Sequence, residues 1–335
     1  METVGIIANP AAGKDIRRLV AHGRFVPDNE KINILKRVLA GLKVTEIEKV
    51  VIMPDPAMLG SAAIDDLSNG PNVEILEMSI FGEERDSTKA AMLMSEMGVG
   101  CLVTLGGDGT NRAVVKGANN IPLLPISTGT NNVFPSTIEG TVAGLAAGVV
   151  AKKLVDLNTV TKVTNVLKVE GGTSISDIAL IDIAVSKERF VGSRAIWDMD
   201  QIHELFLART HPSSIGLSSV GARIRPSTDL IGPGIHVRIG DGGFSVIAPV
   251  VPGSVIRVPV RNWSPMGIDK PFEIDLRPCT IALDGERTIT VSPQENVTVT
   301  LSDKGPILVS VEAAIHQATL AGIFQEGSSK IPIGP

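Results

Sequence analysis

The chain has 335 residues, enough for two domains with sizeable cores. Hydrophobic residues make up 43% and charged residues 20%, which is too apolar for a disordered chain. A formal net charge of −5 offers no bulk positive field to nucleic acid or to an anionic membrane surface, and with no Tyr and few other aromatics there is no platform for stacking single-stranded bases.

The opening stretch Met1-Glu2-Thr3-Val4-Gly5-Ile6-Ile7 lacks a basic region followed by a long apolar core, so it reads as a first strand and not as a signal peptide. No uncharged apolar run reaches ~18 residues; the longest, 142–150, is short and rich in Gly and Ala. A cytoplasmic protein without a membrane partner is expected. Short apolar runs at 4–8, 50–53, 73–76, 101–105 and 122–126 have strand length. Helical patterns lie between them. Ile32, Leu35, Leu39 and Leu42 share one face, as do Ala90, Leu93, Met94 and Met97, with Asp86 and Ser87 where an N-cap would stand. Residues 1–140 therefore predict an α/β domain with a parallel sheet and helices on both faces.

From about residue 153 the pattern turns to alternation. Ile178, Leu180 and Asp182 alternate with Ala179, Ile181 and Ile183, and further alternating runs lie at 289–291 and 297–301. Gly and Pro punctuate at 232–234, 240–243 and 251–253. Residues 153–311 predict an all-β domain of short strands, with residues 196–208 as one inserted helix. Residues 312–335 predict a C-terminal helix, packing back on the first domain, and a frayed tail.

Chemistry concentrates in loops that follow strands. The run 101–105 leads directly into Gly106-Gly107-Asp108-Gly109-Thr110, and a helical pattern follows. Glycines let backbone approach a ligand, the helix start offers N–H groups to phosphate, and a carboxylate there can hold Mg²⁺ or take a proton from a hydroxyl. The bland alternative is a tight turn capped by Asp108. Asn9-Pro10-Ala11-Ala12-Gly13-Lys14 follows the first strand like a phosphate loop, but Asp15 stands where a Walker loop has Ser or Thr. Ser127-Thr128-Gly129-Thr130-Asn131-Asn132 follows a third strand with hydroxyls and amides suited to phosphate oxygens. Asp284-Gly285-Glu286 reads either as a hairpin turn or as carboxylates facing the first domain across a cleft. Asp198, Asp200, His203, Glu204 and His211 cluster locally; a helix would bring Asp200, His203 and Glu204 to one face, as a solvated surface or a metal site. Arg194, Arg223 and Arg225 read as surface residues or as clamps for an acceptor anion. Cys101 and Cys279 match no zinc spacing and read as buried thiols.

Gly106-Gly107-Asp108-Gly109-Thr110, with Asn9-Pro10 upstream and Thr128-Gly129-Thr130-Asn131-Asn132 downstream, resembles the superfamily of ATP-NAD and diacylglycerol kinases. The Gly129-Thr130-Asn131-Asn132 form and Val191-Gly192-Ser193-Arg194-Ala195-Ile196-Trp197 are most similar to its ATP-NAD/AcoX branch. The resemblance implies a Rossmann-like α/β domain followed by an all-β sandwich-like domain, with ATP and Mg²⁺ as cofactors and with acceptor and ATP meeting in the cleft between the two domains. It implies Asp108 as the catalytic residue, activating a hydroxyl or organising Mg²⁺ directly or through water. Asn9, Gly13, Lys14, Gly106, Gly107, Gly109, Thr110, Thr128, Gly129, Thr130 and Asn131 would bind ATP and its phosphates. Asn132, Arg194, Asp284 and Glu286 would face the acceptor. NAD is the implied acceptor, although no Asn-Glu pair of the kind NAD kinases carry lies in the central region. A sugar acid, polyol or other catabolic intermediate is the alternative, and a nucleotide-binding regulatory protein without turnover is a third. The resemblance also implies a homo-oligomer.

Overall fold

A computed structural model describes residues 2–13, 22–23, 25–64, 70–129, 132–172, 175–188 and 199–325, with the side chains of 287 and 288 excepted. β1 (Thr3–Ala8) is buried along its whole length. α1 (Asp28–Val44) lays Leu35, Val38, Leu39 and Leu42 against the sheet. β2 (Lys49–Ile52), α2 (Leu59–Ile64), β3 (Asn72–Ile75), α3 (Glu84–Glu96), β4 (Cys101–Gly106), α4 (Asp108–Ala118) and β5 (Leu123–Ser127) continue the alternation. α5 (Gly140–Ala151), α6 (Leu157–Val160) and β6 (Thr161–Val163) follow. The first five strands pair in parallel in the order β3-β2-β1-β4-β5. Alternate residues of β1 explain the two covered faces. Val4, Ile6 and Ala8 join the core under α1 and α5, whereas Ile7 joins the core under α3 and α4.

β7 (Val166–Gly171), β8 (Ile175–Ala179), β9 (Asp182–Ser186), β10 (Ile202–Leu207), α7 (Ser218–Ile224), β11 (Gly234–Val251) and β12 (Ser254–Met266) open the second half. β13 (Pro271–Glu273), β14 (Cys279–Leu283), β15 (Glu286–Val291) and β16 (Val297–Ser302) complete it. They form two antiparallel sheets, ordered β12-β11-β10-β9-β14-β15 and β13-β16-β7-β8. Leu167, Val169, Val297 and Val299 of the smaller sheet share a core with Ile183, Val185, Phe206 and Ile281 of the larger. The expected α/β domain followed by a β-sandwich is what the chain forms.

β17 (Ile307–Val309) then returns to the first sheet, parallel to β5 and antiparallel to β6. α8 (Val311–Leu320) packs on α5 and α6 with Ala314 and Ala318 buried, so the C-terminal helix does return to the first half. No helix among the described residues is long and apolar enough to cross a membrane.

Four local expectations are corrected. The stretch 178–183 is not one strand: β8 ends at Ala179 and β9 begins at Asp182 in the other sheet. The Asp284 carboxylate makes that corner possible by accepting the N–H groups of Leu180 at 3.0 Å and Ile181 at 2.8 Å. Within 196–208, the described residues form a short 3₁₀ turn (Met199–Gln201) and β10, not a helix. A register shift falls at His203, which is half-buried. Glu204 is fully buried against His236 at 2.7 Å, neither solvated nor part of a metal cluster; among the described residues no three metal-ligating side chains converge. Gly240-Asp241-Gly242-Gly243 is a bulge inside the long strand β11, not a turn. Finally, α3 starts three residues earlier than expected. Glu83 is its N-cap, while Asp86 accepts the N–H groups of Phe81, Gly82 and Glu83.

Candidate functional site

β1 leads to β2 on one side of the sheet, and β4 to β5 on the other. The chain thus reverses direction across the sheet between β1 and β4, and a crevice opens there beyond their carboxyl ends. The loops after β1, β4 and β5 meet at this point. Asn9 N donates to Leu105 O at 2.9 Å, and Asn9 Nδ2 donates to Thr110 Oγ1 at 2.8 Å, lacing the first loop to the second. Gly13 has φ +76°, and a Cβ there would stand 2.7 Å from Thr128 O, so loops one and three touch backbone to backbone. Beneath the first loop lies Lys31, fully buried. Its ammonium donates to Pro10 O at 2.7 Å and to Asp28 at 3.3 Å.

Gly107 is the N-cap of α4, and Asp108 is its first helical residue. Asn111 fixes this start: its Nδ2 donates to Gly107 O at 2.8 Å, while its Oδ1 accepts from buried Thr104 Oγ1 at 2.7 Å. The first N–H groups of α4 therefore point into the crevice without an intrahelical acceptor. Asp108 is held rigidly. Its oxygens accept Val133 N at 3.1 and 3.2 Å and Phe134 N at 2.9 Å. The Asn132 amide fits between the Gly107 and Gly129 backbones and donates to Ser127 Oγ at 2.8 Å.

The opposite wall comes from the β-sandwich. The turn between β14 and β15 brings Glu286 to 3.6 Å from where a Cβ on Gly109 would stand. Arg112, 1% exposed, joins the halves: Nη1 donates to Leu283 O at 2.8 Å and Nη2 reaches Glu84 at 3.2 Å. The cleft encloses about 770 Å³ and is lined by the carboxylates of Asp55, Glu83, Glu84, Asp86, Asp108, Asp284 and Glu286, with Arg85 beside them. Burial raises the Asp55 carboxyl above its ordinary range, against the pull of the Ala57 and Leu59 N–H groups. Burial likewise raises Asp284, opposed by Arg112 and by the N–H groups at the Leu180 corner.

The structure brings together Asn9, Gly13, Gly106, Gly107, Asp108, Gly109, Thr110, Thr128, Gly129, Asn132, Asp284 and Glu286. Asp284 sits at the cleft, but its oxygens are engaged by backbone. Lys14, Thr130, Asn131 and Arg194 lie outside the described residues. Arg223 and Arg225 are exposed at the end of α7, and Arg223 donates to Pro212 O. Cys101 and Cys279 are free and buried, and burial pushes their thiols up to about 12 and about 11. Sequence reasoning missed Lys31, Arg112 and Arg209. Arg112 carried a signal, standing two residues after Thr110. Arg209 carried none beyond closing an apolar run. It is 8% exposed, with its guanidinium carbon 4.6 Å from the Phe134 ring centroid. Burial pushes it down to about 10, opposed first by Asp108 and then by Asp284.

Comparison with known proteins finds relatives of both halves of the chain. The ATP-NAD kinase N-terminal domain family matches residues 4–154, and the acetoin catabolism protein X C-terminal domain family matches residues 165–304. Acetoin catabolism protein X of Cupriavidus necator is 35% identical over 329 residues, covering 94% of this chain and 92% of that one. Among solved structures, yeast NADH kinase complexed with NADH superposes with a TM-score of 0.51 at 15% identity, covering 98% of this chain and 89% of that one.

Proposed function

The chain belongs to the ATP-NAD/AcoX kinase family, and from that premise we propose that it is an ATP-dependent kinase acting on a hydroxyl of a small molecule. The observation that carries the proposal is the meeting of three strand-end loops around the rigidly held Asp108 carboxylate. In this reading the N–H groups of Gly109 and Thr110 at the start of α4 receive the donor phosphates. Asn9, Gly13 and Lys14 flank them from the first loop, with Gly106 and Gly107 beneath. Thr128, Gly129, Thr130 and Asn131 close the nucleotide side. Asn132, Arg194 and Glu286 face the acceptor, and Asp284 holds the corner from which Glu286 projects.

The acceptor oxygen forms a bond to the γ-phosphorus as the bond from that phosphorus to the β,γ-bridging oxygen breaks, and ADP leaves. The hydroxyl proton passes to Asp108 or to water. Positioning and charge stabilisation do most of the work in such a transfer. Asp108 and Glu286 are the residues that would hold Mg²⁺. Their hard oxygens suit an ion that takes one or two carboxylates and the substrate phosphates and keeps its remaining waters. Mg²⁺ would neutralise phosphate charge in a cleft otherwise lined with carboxylates.

NAD is the first acceptor, giving NADP and ADP, because the N-terminal half matches the ATP-NAD kinase domain. A catabolic intermediate bearing a hydroxyl is the second, favoured by the 35% identical relative being an acetoin catabolism protein. Incubating the protein with Mg-ATP and an acceptor panel separates them. NADP formation supports the first, and phosphorylation of another compound without NADP supports the second. If no acceptor is phosphorylated while Mg-ATP binds tightly, the kinase proposal fails.

A further inference from the structure

Each wall of the cleft carries acid: Asp55 after β2, Glu84 at the start of α3, Asp108 at the start of α4, and Glu286 from the β-sandwich turn. Seven carboxylates line it in all, and among the described residues Arg85 is the only base that does. Arg112, Lys116 and Arg209 act on these carboxylates from behind the lining. The acids still outnumber all four bases.

Six of the seven are already engaged. Glu83 pairs with Arg85 at 3.1 Å, and Glu84 with Arg112 at 3.2 Å. Asp55, Asp86, Asp108 and Asp284 accept backbone N–H groups. The Glu286 side chain has no hydrogen-bond partner among the described residues. Its two oxygens lie 3.6 and 3.8 Å from where a Cβ on Gly109 would stand, next to Asp108 in the chain. A carboxylate only accepts hydrogen bonds, so the group that completes it is a donor. An anionic ligand would meet repulsion from Glu286 and Asp108 together, and Mg-ATP, itself an anion, adds to that field. An uncharged hydroxyl escapes the repulsion and supplies the donor.

Resting on the kinase reading above, we propose that the acceptor is an uncharged polyol. One hydroxyl donates to Glu286, and a neighbouring hydroxyl beside Asp108 takes the phosphoryl group. A polyol phosphate and ADP result, and the displaced proton passes to Asp108 or to water. This selects the second acceptor class over NAD, whose pyrophosphate is anionic.

Calorimetric titration of the full chain, with and without saturating Mg-AMP-PNP, tests this. The paired probes are glycerol, ribitol and adenosine against D-glycerate, D-ribonate and NAD. At least one uncharged probe should bind, about 100-fold more tightly than its anionic counterpart. Glu286→Gln puts a group that also donates where one only accepted. It should weaken the uncharged probe about tenfold and strengthen the anionic one, narrowing the ratio. Tighter binding of an anionic probe than of its uncharged counterpart, or binding of no uncharged probe, would overturn the proposal. So would an unchanged ratio in Glu286→Gln with weaker Mg-AMP-PNP binding, which would leave Glu286 to Mg²⁺ alone. Binding of Mg-AMP-PNP by itself is read separately. Its failure removes the kinase reading, while the charge preference, read without nucleotide, would still stand.

Discussion

A buried arginine whose Nε and Nη2 lack hydrogen-bond partners among the described residues should weigh against stability, and Arg209→Met exposes that weight. Burial lowers the guanidinium from 12.5 to about 10, equivalent to about 3 kcal/mol of unfavourable charge burial at neutral pH. Methionine of similar length removes that cost. It also removes the cation–π contact with Phe134, a loss of about 1–2 kcal/mol for a desolvated pair. The net is a gain of about 1–2 kcal/mol. With an unfolding entropy of about 0.7 kcal/mol per kelvin for 335 residues, Tm should rise by about 1–3 °C. Scanning calorimetry of wild type and variant without ligand measures this, and urea denaturation checks it. The sign with pH follows from linkage. A base whose folded pKa is depressed disfavours folding most below that pKa, so the wild-type disadvantage should shrink as pH rises through about 10. A ligand-free Arg209→Met variant less stable than wild type would refute the reasoning, because the guanidinium would then be a structural ion pair.

Three further outcomes are expected. Asp108→Asn should lower kcat by a factor of about 100 or more while Mg-ATP still binds by calorimetry; near-native turnover would end its assignment. Asp284→Ala leaves the Leu180 and Ile181 N–H groups without their acceptor and takes one of the neighbouring negative charges from buried Arg112. A destabilisation of about 4 kcal/mol, read as a fall of about 6 °C in Tm, should follow. An unchanged Tm would show that the corner does not depend on this carboxylate. Lys31→Met frees the Pro10 carbonyl beneath the first loop, so KM for ATP should rise about tenfold with little change in kcat. A fall confined to kcat would place Lys31's effect elsewhere.

The α/β half was legible because its strands are separated by helices with one apolar stripe, and because both loops at the switch point announce themselves by glycine. Asn9 and Thr110 stand 101 residues apart, yet each lies in a loop already read as a phosphate site. The β half hid more. β10 lies between β9 and β11 with nearly every residue buried, so its apolar run shows no alternation and imitates a helix. The break at 180–181 depends on a carboxylate about a hundred residues downstream, and local alternation carries no trace of it. Arg209 was invisible for a related reason. Its meaning comes from Phe134 and Asp108, which other elements deliver.

The pairing of β17 with β5 and β6 constrains how this protein is made. During synthesis, the first five strands of the main sheet leave the ribosome long before Ile307–Val309. Until then the outer side of β5 meets only the Ser136 bridge at its carboxyl end, and β6 lacks the one strand partner it has among the described residues. The intervening β-sandwich must form as a closed excursion whose two ends are later zipped side by side. Translation thus delays completion of the first sheet until the whole β-sandwich has been made. A chain truncated before residue 307 would expose an open, apolar strand edge of the kind that recruits other chains.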